Sequence, residues 1–269
     1  MNAVSAVLRV VHARAITIGR PRIAVTASLT AVCFAVLVSV LTVLKAQPGP
    51  QQDVGDGEGV TIAALSTAGG MATGFTNAAV LTGIVVLVVF LTTMTGDHEH
   101  GTVRGLLTRG PGRLPLLAGT YVTLALATAA LLAVAEIAAV VAAYLAAPAA
   151  GVDRGLWLGA DGLRAAGTDY GGVFLACLLL GSFGALIGVA VRRTALGVAL
   201  AVGWLLPVEN MIGRAWDGAA AWFPGLLARA VATGGTEVSS GHAQVTAGAW
   251  IVVCTAVTAV LFARRDVTA

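Results

Sequence analysis

The stretch GDHEHGTVRGLLTRGPGR, residues 96–113, packs two histidines, an aspartate, a glutamate and three arginines into one short run of an otherwise apolar chain. Metal ligation is the first chemistry such a set suggests. His98, Glu99 and His100 are the wrong geometry for it, because alternate residues on a helix point apart, and the other histidines, His12 and His242, are remote in sequence. Nucleophilic catalysis is the second. All four histidines fall outside the apolar runs, so Ser182 in GSFG has no partner for a Ser-His dyad. Asp53, Asp56 and Glu58, in AQPGPQQDVGDGEGV (46–60), lack the spacing of a calcium loop and suit a solvated acidic segment. No catalytic residue and no metal site is expected. The third chemistry is recognition, a charged and folded segment offered to another protein.

The elements that must position this segment follow from composition. Hydrophobic residues make up 58% and charged residues 11%, where a soluble domain has about 25% charged; mean hydropathy is +0.90. The apolar runs predict an all-α, polytopic membrane protein with six spans in a single domain: 23–44, 75–95, 114–145, 172–191, 194–208 and 245–263. The first run and its basic leader are too long for a signal peptide, so that span is expected to stay uncleaved. Pro207 and Glu209 are expected to close a short fifth span. Cys33, Cys177 and Cys254 lie within the apolar runs and read as small buried hydrophobes.

Arginine sets the orientation, since cytoplasmic loops hold the excess of basic residues. Arg9, Arg14, Arg20, Arg22, Arg104, Arg109, Arg113, Arg192, Arg193, Arg264 and Arg265 fall on one side, against Lys45, Arg154, Arg164, Arg214 and Arg229 on the other. Both termini and residues 97–113 are therefore predicted to be cytoplasmic, and the protein to sit in the plasma membrane of a bacterium. Residues 2–20 predict an interfacial helix against membrane lipid. Val4, Val7, Leu8, Val11, Ala15 and Ile18 share one face, Ser5, Arg9, His12 and Arg20 the opposite one, and Arg14 is off the pattern. Outside, 149–171 reads as a loop, and 212–243, with Trp216, Trp222 and Phe223, as short helices dipping into the outer leaflet.

With its surroundings placed, 97–113 predicts a short cytoplasmic helix. Gly96 ends the second span, Asp97 is the N-cap, Glu99 sits in the first turn, and Val103, Leu106 and Leu107 form an apolar edge stopped by Gly110-Pro111-Gly112. Few other polar residues enter the spans. Glu136, about 33 Å along the third span at 1.5 Å per residue, either lines a substrate path or is simply wet beyond the bilayer. Pro207, Glu209 and Asn210 mark a possible gate at the outer end of span five. Gly184 and Gly188 in GALIG allow close helix packing.

The segment 97–113 resembles the E-x-x-x-G-T-x-x-x-L-L-x-x-P-x-x-R pattern of type-2 ABC transporter permeases, the ABC-2 family. Asp97 stands where that family has glutamate. Gly101 and Thr102 match its Gly-Thr, Leu106 and Leu107 its leucine pair, and Arg113 its final arginine. Pro111 is displaced by about one residue, and His98 replaces the usual aromatic. WFPG, 222–225, falls where the family carries an aromatic-proline pair. The resemblance implies that 97–113, with His98, Glu99, His100, Arg104 and Arg109 exposed, is a coupling helix inserted into a separate ATPase subunit. It implies two ATPase copies and a second permease half, identical or homologous. It also implies export of an amphipathic or apolar substrate such as an antibiotic, peptide or lipid. ATP and Mg would be held by the partner, because Lys45, the only lysine, lies in VLKAQPG and cannot form a phosphate loop. No cofactor on this chain and no nucleic-acid partner are expected. An ion-driven carrier, or a membrane-embedded enzyme without an ATPase, is the alternative.

Overall fold

The computed structural model describes residues 7–12, 21–48, 59–99, 113–216, 218–234 and 239–264. Among them there is no strand, only an isolated bridge between Gln47 and Thr61. Six helices are long and apolar enough to cross a membrane, which makes this a multi-pass membrane protein. In chain order the elements are α1 (Pro21–Leu44), α2 (Ile62–Leu65), α3 (Thr73–Asn77), α4 (Ala79–Glu99), α5 (Arg113–Ala146) and α6 (Ala160–Val191). Then come α7 (Thr194–Gly203), a π turn (Trp204–Val208), α8 (Glu209–Ala215), α9 (Pro224–Thr233) and α10 (Ser240–Arg264). The end of the bundle that carries Arg113, Arg192 and Arg193 is called the arginine side below.

The centre is the pairing of α4 with α6. Leu87, Phe90 and Leu91 on α4 are fully or almost fully buried, as are Leu179 and Leu180 on α6. Glycines bring the two backbones together. A Cβ at Gly184 would stand 2.5 Å from the Leu87 carbonyl oxygen, and one at Gly188 would stand 2.8 Å from that of Leu91. The small face read in GALIG thus packs helices within this chain. Around this pair, α1 runs along α5, and α10 and α9 both lean on α6. Leu29, Leu37 and Leu41 on α1, Leu126, Val134 and Ile137 on α5, and Val245, Val252 and Val253 on α10 all point outward. Such outward leucine and valine faces suit hydrocarbon, not water.

A second cluster caps the side opposite the arginines. Trp157 is fully buried among Val43, Leu65, Met71, Ala143 and Ala147, and its indole N–H donates to the Leu65 carbonyl at 2.8 Å. The bond joins the segment before α4 to the one before α6, and Asp153 N–H donates to Ser66 Oγ at 3.2 Å beside it.

Several sequence expectations need correction. The helix that holds the predicted span 172–191 begins at Ala160, so half of the expected outer loop 149–171 is helical. Its polar residues misled because Asp161 and Arg164, one turn apart, simply face solvent and pair at 3.5 Å. The fifth span does not close at Pro207 and Glu209 but continues to Ala215. The apolar span does end at Gly96, as expected, but the helix does not. Helix α4 runs on to Glu99, nothing crowds Gly96, and it keeps a negative φ, so Asp97 lies inside α4 and caps no new helix. Cys177 and Cys254 are buried, but Cys33 is exposed on the outward face of α1.

Replacing Gly184 with alanine sets a Cβ against the backbone of α4, which cannot step aside. Thermal unfolding in detergent should show a loss of about 1–3 kcal/mol, while Gly248→Ala, with open space around it, should leave the midpoint unchanged.

Candidate functional site

On the arginine side, α4 ends at Glu99 and α5 starts at Arg113, so both flanks of the 97–113 segment emerge together. His100, Gly101, Thr102, Arg104, Leu106, Leu107 and Arg109 lie outside the described residues, as do the side chains of Asp97, His98, Glu99 and Arg113, and all of Arg14, Asp53, Asp56 and Glu58. Residues 7–12 are helical and cross α5 close to its start, where a Cβ on Gly119 would meet Val10 at 2.5 Å. Val10 is buried, Val7 and Val11 are half-buried, and Leu8, Arg9 and His12 are exposed. The predicted apolar stripe is therefore divided. Val10, which it omits, faces the bundle, and Leu8, at its centre, faces outward. A helix on a membrane surface that also touches protein presents three faces, not two. At the same end Thr95 and Thr194 share a hydrogen bond of 2.8 Å between their hydroxyls, tying α4 to the start of the fifth span.

The fifth span is shaped by Pro207. Proline lacks an N–H and clashes with the carbonyl four residues back. The chain relieves this by widening into a π turn, in which the Glu209 N–H reaches the Trp204 carbonyl five residues back. The Asn210 side-chain amide donates to the Leu206 carbonyl at 2.6 Å, absorbing another acceptor of the disturbed turn. Glu209 lies about 22 Å along the helix from Thr194, and the apolar span runs past it to Ala215. The relative exposure of Glu209 is 0%.

There the carboxylate meets the start of another helix. Glu209 Oε2 accepts from the N–H of Gly225 at 2.7 Å and of Leu226 at 3.1 Å. A helix leaves its first four N–H groups unpaired, and once buried each needs a partner. Every one in α9 is accounted for. Phe223 N–H donates to the Ala219 carbonyl at 3.1 Å, Pro224 has no N–H, and Gly225 and Leu226 use Glu209, so that Leu227 N–H closes the first helical bond on the Phe223 carbonyl at 2.8 Å. Phe223, at the N-cap position, supplies no side-chain cap. The WFPG sequence thus has a local meaning: proline removes one donor, and glycine leaves room for a carboxylate. A Cβ at Gly225 would lie 2.6 Å from Glu209 Oε2 and 2.8 Å from Leu205 Cδ2. The Trp250 indole N–H holds the Trp222 carbonyl at 3.0 Å from the other side.

Glu136 has a neighbour that sequence reading missed. It lies 23 residues into α5 from Arg113, and Asp169 lies 23 residues before Arg192 on α6, so both sit about 34 Å from the arginine side. Asp169 lies within electrostatic reach of Glu136, as does Tyr170. The Tyr170 hydroxyl donates to the Ala129 carbonyl at 2.8 Å. Glu136 Oε1 is buried without a hydrogen-bond partner among the described residues. Asp169 escaped notice because it was assigned to a loop. Reading the fourth helix back one turn from Gly172 would have put it level with Glu136. Among the described residues no three His, Cys, Asp or Glu side chains gather as a metal site.

No protein-family model matches this chain, and no curated protein matches it.

Gly225→Ala should force Glu209 off the first turn of α9, lowering stability by about 1–2 kcal/mol, the scale of a lost N-cap. It should also shift the fluorescence of the neighbouring Trp204 and Trp222. A variant as stable as the parent, with unchanged emission, would show that this contact does not hold α9.

Proposed function

We propose that this chain is the membrane permease subunit of an ATP-driven transporter of the ABC-2 type. It would act with a second permease half, identical or homologous, and two copies of a separate ATPase that bind ATP and Mg. The observation that carries the reading is the segment 97–113. Its Asp97, Gly101-Thr102, Leu106-Leu107 and Arg113 follow that family's coupling pattern, and it bridges two span helices of a six-span body.

The packing supports a mechanical role for that segment. A push on it enters α4 directly, because α4 continues into it without a break at Gly96. The glycine contacts make α4 and α6 one body, so the displacement reaches α6, and through Thr95 and Thr194 it reaches the fifth span. The helical stretch 7–12, gripping α5 at Gly119, gives the ATPase a second point of purchase, with Arg9 and His12 exposed toward it. On this reading the arginine side is cytoplasmic, and cargo leaves at the opposite side, past Glu136 and the Pro207–Glu209–Asn210 region. The walls are apolar, which suits an amphipathic or apolar cargo leaving a bacterial plasma membrane.

One observation favours a second reading, an ion-driven carrier. The fifth span is broken at a π turn next to a buried carboxylate, which is how carriers build ion sites. Glu209 is, however, already engaged by two backbone N–H groups, and a helix start depends on it.

The readings separate when the neighbouring genes are searched for an ATPase without membrane spans and the chain is purified with it. The parent chain should form a stable complex and stimulate ATP turnover. Changing Asp97, Thr102 and Arg104 together to alanine should abolish both while leaving thermal stability unchanged. A triple variant that still binds and stimulates the ATPase ends the coupling assignment. Uptake or efflux that follows an imposed ion gradient without ATP supports the carrier instead.

A further inference from the structure

We propose that the bond between Glu209 and the start of α9 is a latch. It releases when the part of the fifth span beyond the π turn swings away from the bundle, with Trp204–Val208 as the hinge. The proposal takes only its purpose, opening of the far side, from the permease reading; the hinge and the bond stand without it.

The hinge comes from the local chemistry. Across Trp204–Val208 the α bonding pattern is interrupted, Pro207 offers no donor, and the Glu209 N–H already reaches five residues back. Bending there breaks little that is intact, which is why helices kink at π turns and prolines. The arm beyond the hinge is lightly held. Glu209 is the single buried residue of α8, while Asn210, Arg214 and Ala215 are exposed and Met211 is 71% exposed. Besides the two bonds to Glu209, α8 approaches α9 at Gly213, where an added Cβ would sit 3.0 Å from Leu226 Cδ1.

The two partners of the latch differ in how firmly they are anchored. Helix α9 is fixed, with Leu227, Ala228, Val231 and Ala232 buried against α6 and α10. A Cβ at Gly172 of α6 would lie 2.9 Å from the Val231 carbonyl oxygen. The near end of the fifth span is fixed as well, through Thr194 and through Gly197 against Leu91. Release therefore moves α8 and leaves α9 in place. Both backbone N–H groups of α9 share one oxygen of the carboxylate, and the Trp204 side chain lies beside it on the hinge itself. Oε1 is buried with no hydrogen-bond partner among the described residues, so the closed state is incompletely satisfied and opening gives up few bonds. The latch also explains why a carboxylate, and no smaller cap on Phe223, serves α9: a cap on the same strand could not couple two helices.

The test uses the full chain in lipid nanodiscs and hydrogen–deuterium exchange of the backbone. In a chain with Cys33→Ser, Cys177→Ala and Cys254→Ala, Gly213→Cys and Leu226→Cys are bridged by a short bifunctional thiol reagent. Bridging should slow exchange at the Gly225 and Leu226 amides about tenfold or more relative to the unbridged chain, the scale of an opening with an N-cap's worth of free energy. Exchange in α4 and α6 should not change. Equal exchange at Gly225 and Leu226 with and without the bridge overturns the latch. Glu209→Gln, which keeps the shape but weakens the charge-assisted bonds, supplies a second arm should the cysteine variant fail to fold. It should speed exchange at those two amides by about tenfold and leave α4 and α6 alone. A rise shared by α4 and α6 makes Glu209 a general support of the fold and overturns the proposal. Neither readout needs substrate or ATPase, so absence of an ATPase partner would remove the permease reading and leave the latch intact.

Discussion

Burial tolerates no unpaired backbone N–H, and the rest of this structure is arranged around meeting that demand at one place. Helix α9 begins inside the protein, with Pro224 and Gly225 buried, so its first turn needs a protein acceptor. The solution is a carboxylate borrowed from a different helix, set so that one oxygen takes two N–H groups. The negative charge sits at the positive end of the α9 dipole, so each element stabilises the other. Everything nearby follows from that pairing. Gly225 has no side chain because Glu209 and Leu205 occupy the space, Pro224 removes a donor that would have gone unmet, and the π turn sets the rotation at which Glu209 faces inward. With Glu209 removed, the Gly225 and Leu226 N–H groups would lose their acceptor while the rest of α9 keeps its packing on α6 and α10.

The second organising contact is the α4–α6 seam. Backbone-to-backbone approach through Gly184 and Gly188 leaves no deformable side chains between the helices to absorb a displacement. Two spans that touch this closely move together. Because α4 leads straight into 97–113, and α6 carries α9, the two ends of the molecule communicate through a rigid path and not through a chain of soft contacts.

The parts of this arrangement legible in the sequence are those governed by one-dimensional patterns. Six apolar runs gave six helices because length and hydropathy alone decide membrane crossing. GALIG announced a close contact because small residues at that spacing have little other use. Boundaries failed where a rule of thumb met a local exception. Pro207 was read as an end, but a π turn absorbs proline when the chain beyond it is needed. Asp161 and Asp169 were read as loop residues, but a helix may run past the apolar layer and carry its acids outside or against a neighbour. Gly96 was read correctly as the end of the apolar span, but the helix runs on past it, whereas α9 stops at Gly234, where a left-handed turn with φ 78° follows. Val10 shows a different limit: a helix touching lipid, water and protein has three faces, and a two-sided wheel assigns one of them wrongly. Nothing in the local sequence links Glu209 to Gly225 or Trp157 to Leu65, which are pairings of tertiary structure. The charged segment 97–113 was legible as a pattern and lies largely outside the described residues.

The hairpin between α6 and α7 is made by two residues. Arg192 takes a left-handed turn at φ 59° and donates its N–H to the Gly188 carbonyl, and Arg193 is extended before α7 begins. So short a link, with both side chains charged, obliges the two spans to enter the bilayer as a pair during synthesis. At that moment Glu209 has no cap to serve, because its acceptor role is fulfilled only when the ribosome has delivered residues sixteen and seventeen positions later. The final seat of the fifth span is therefore completed only together with WFPG, whose first turn supplies the carboxylate's backbone donors.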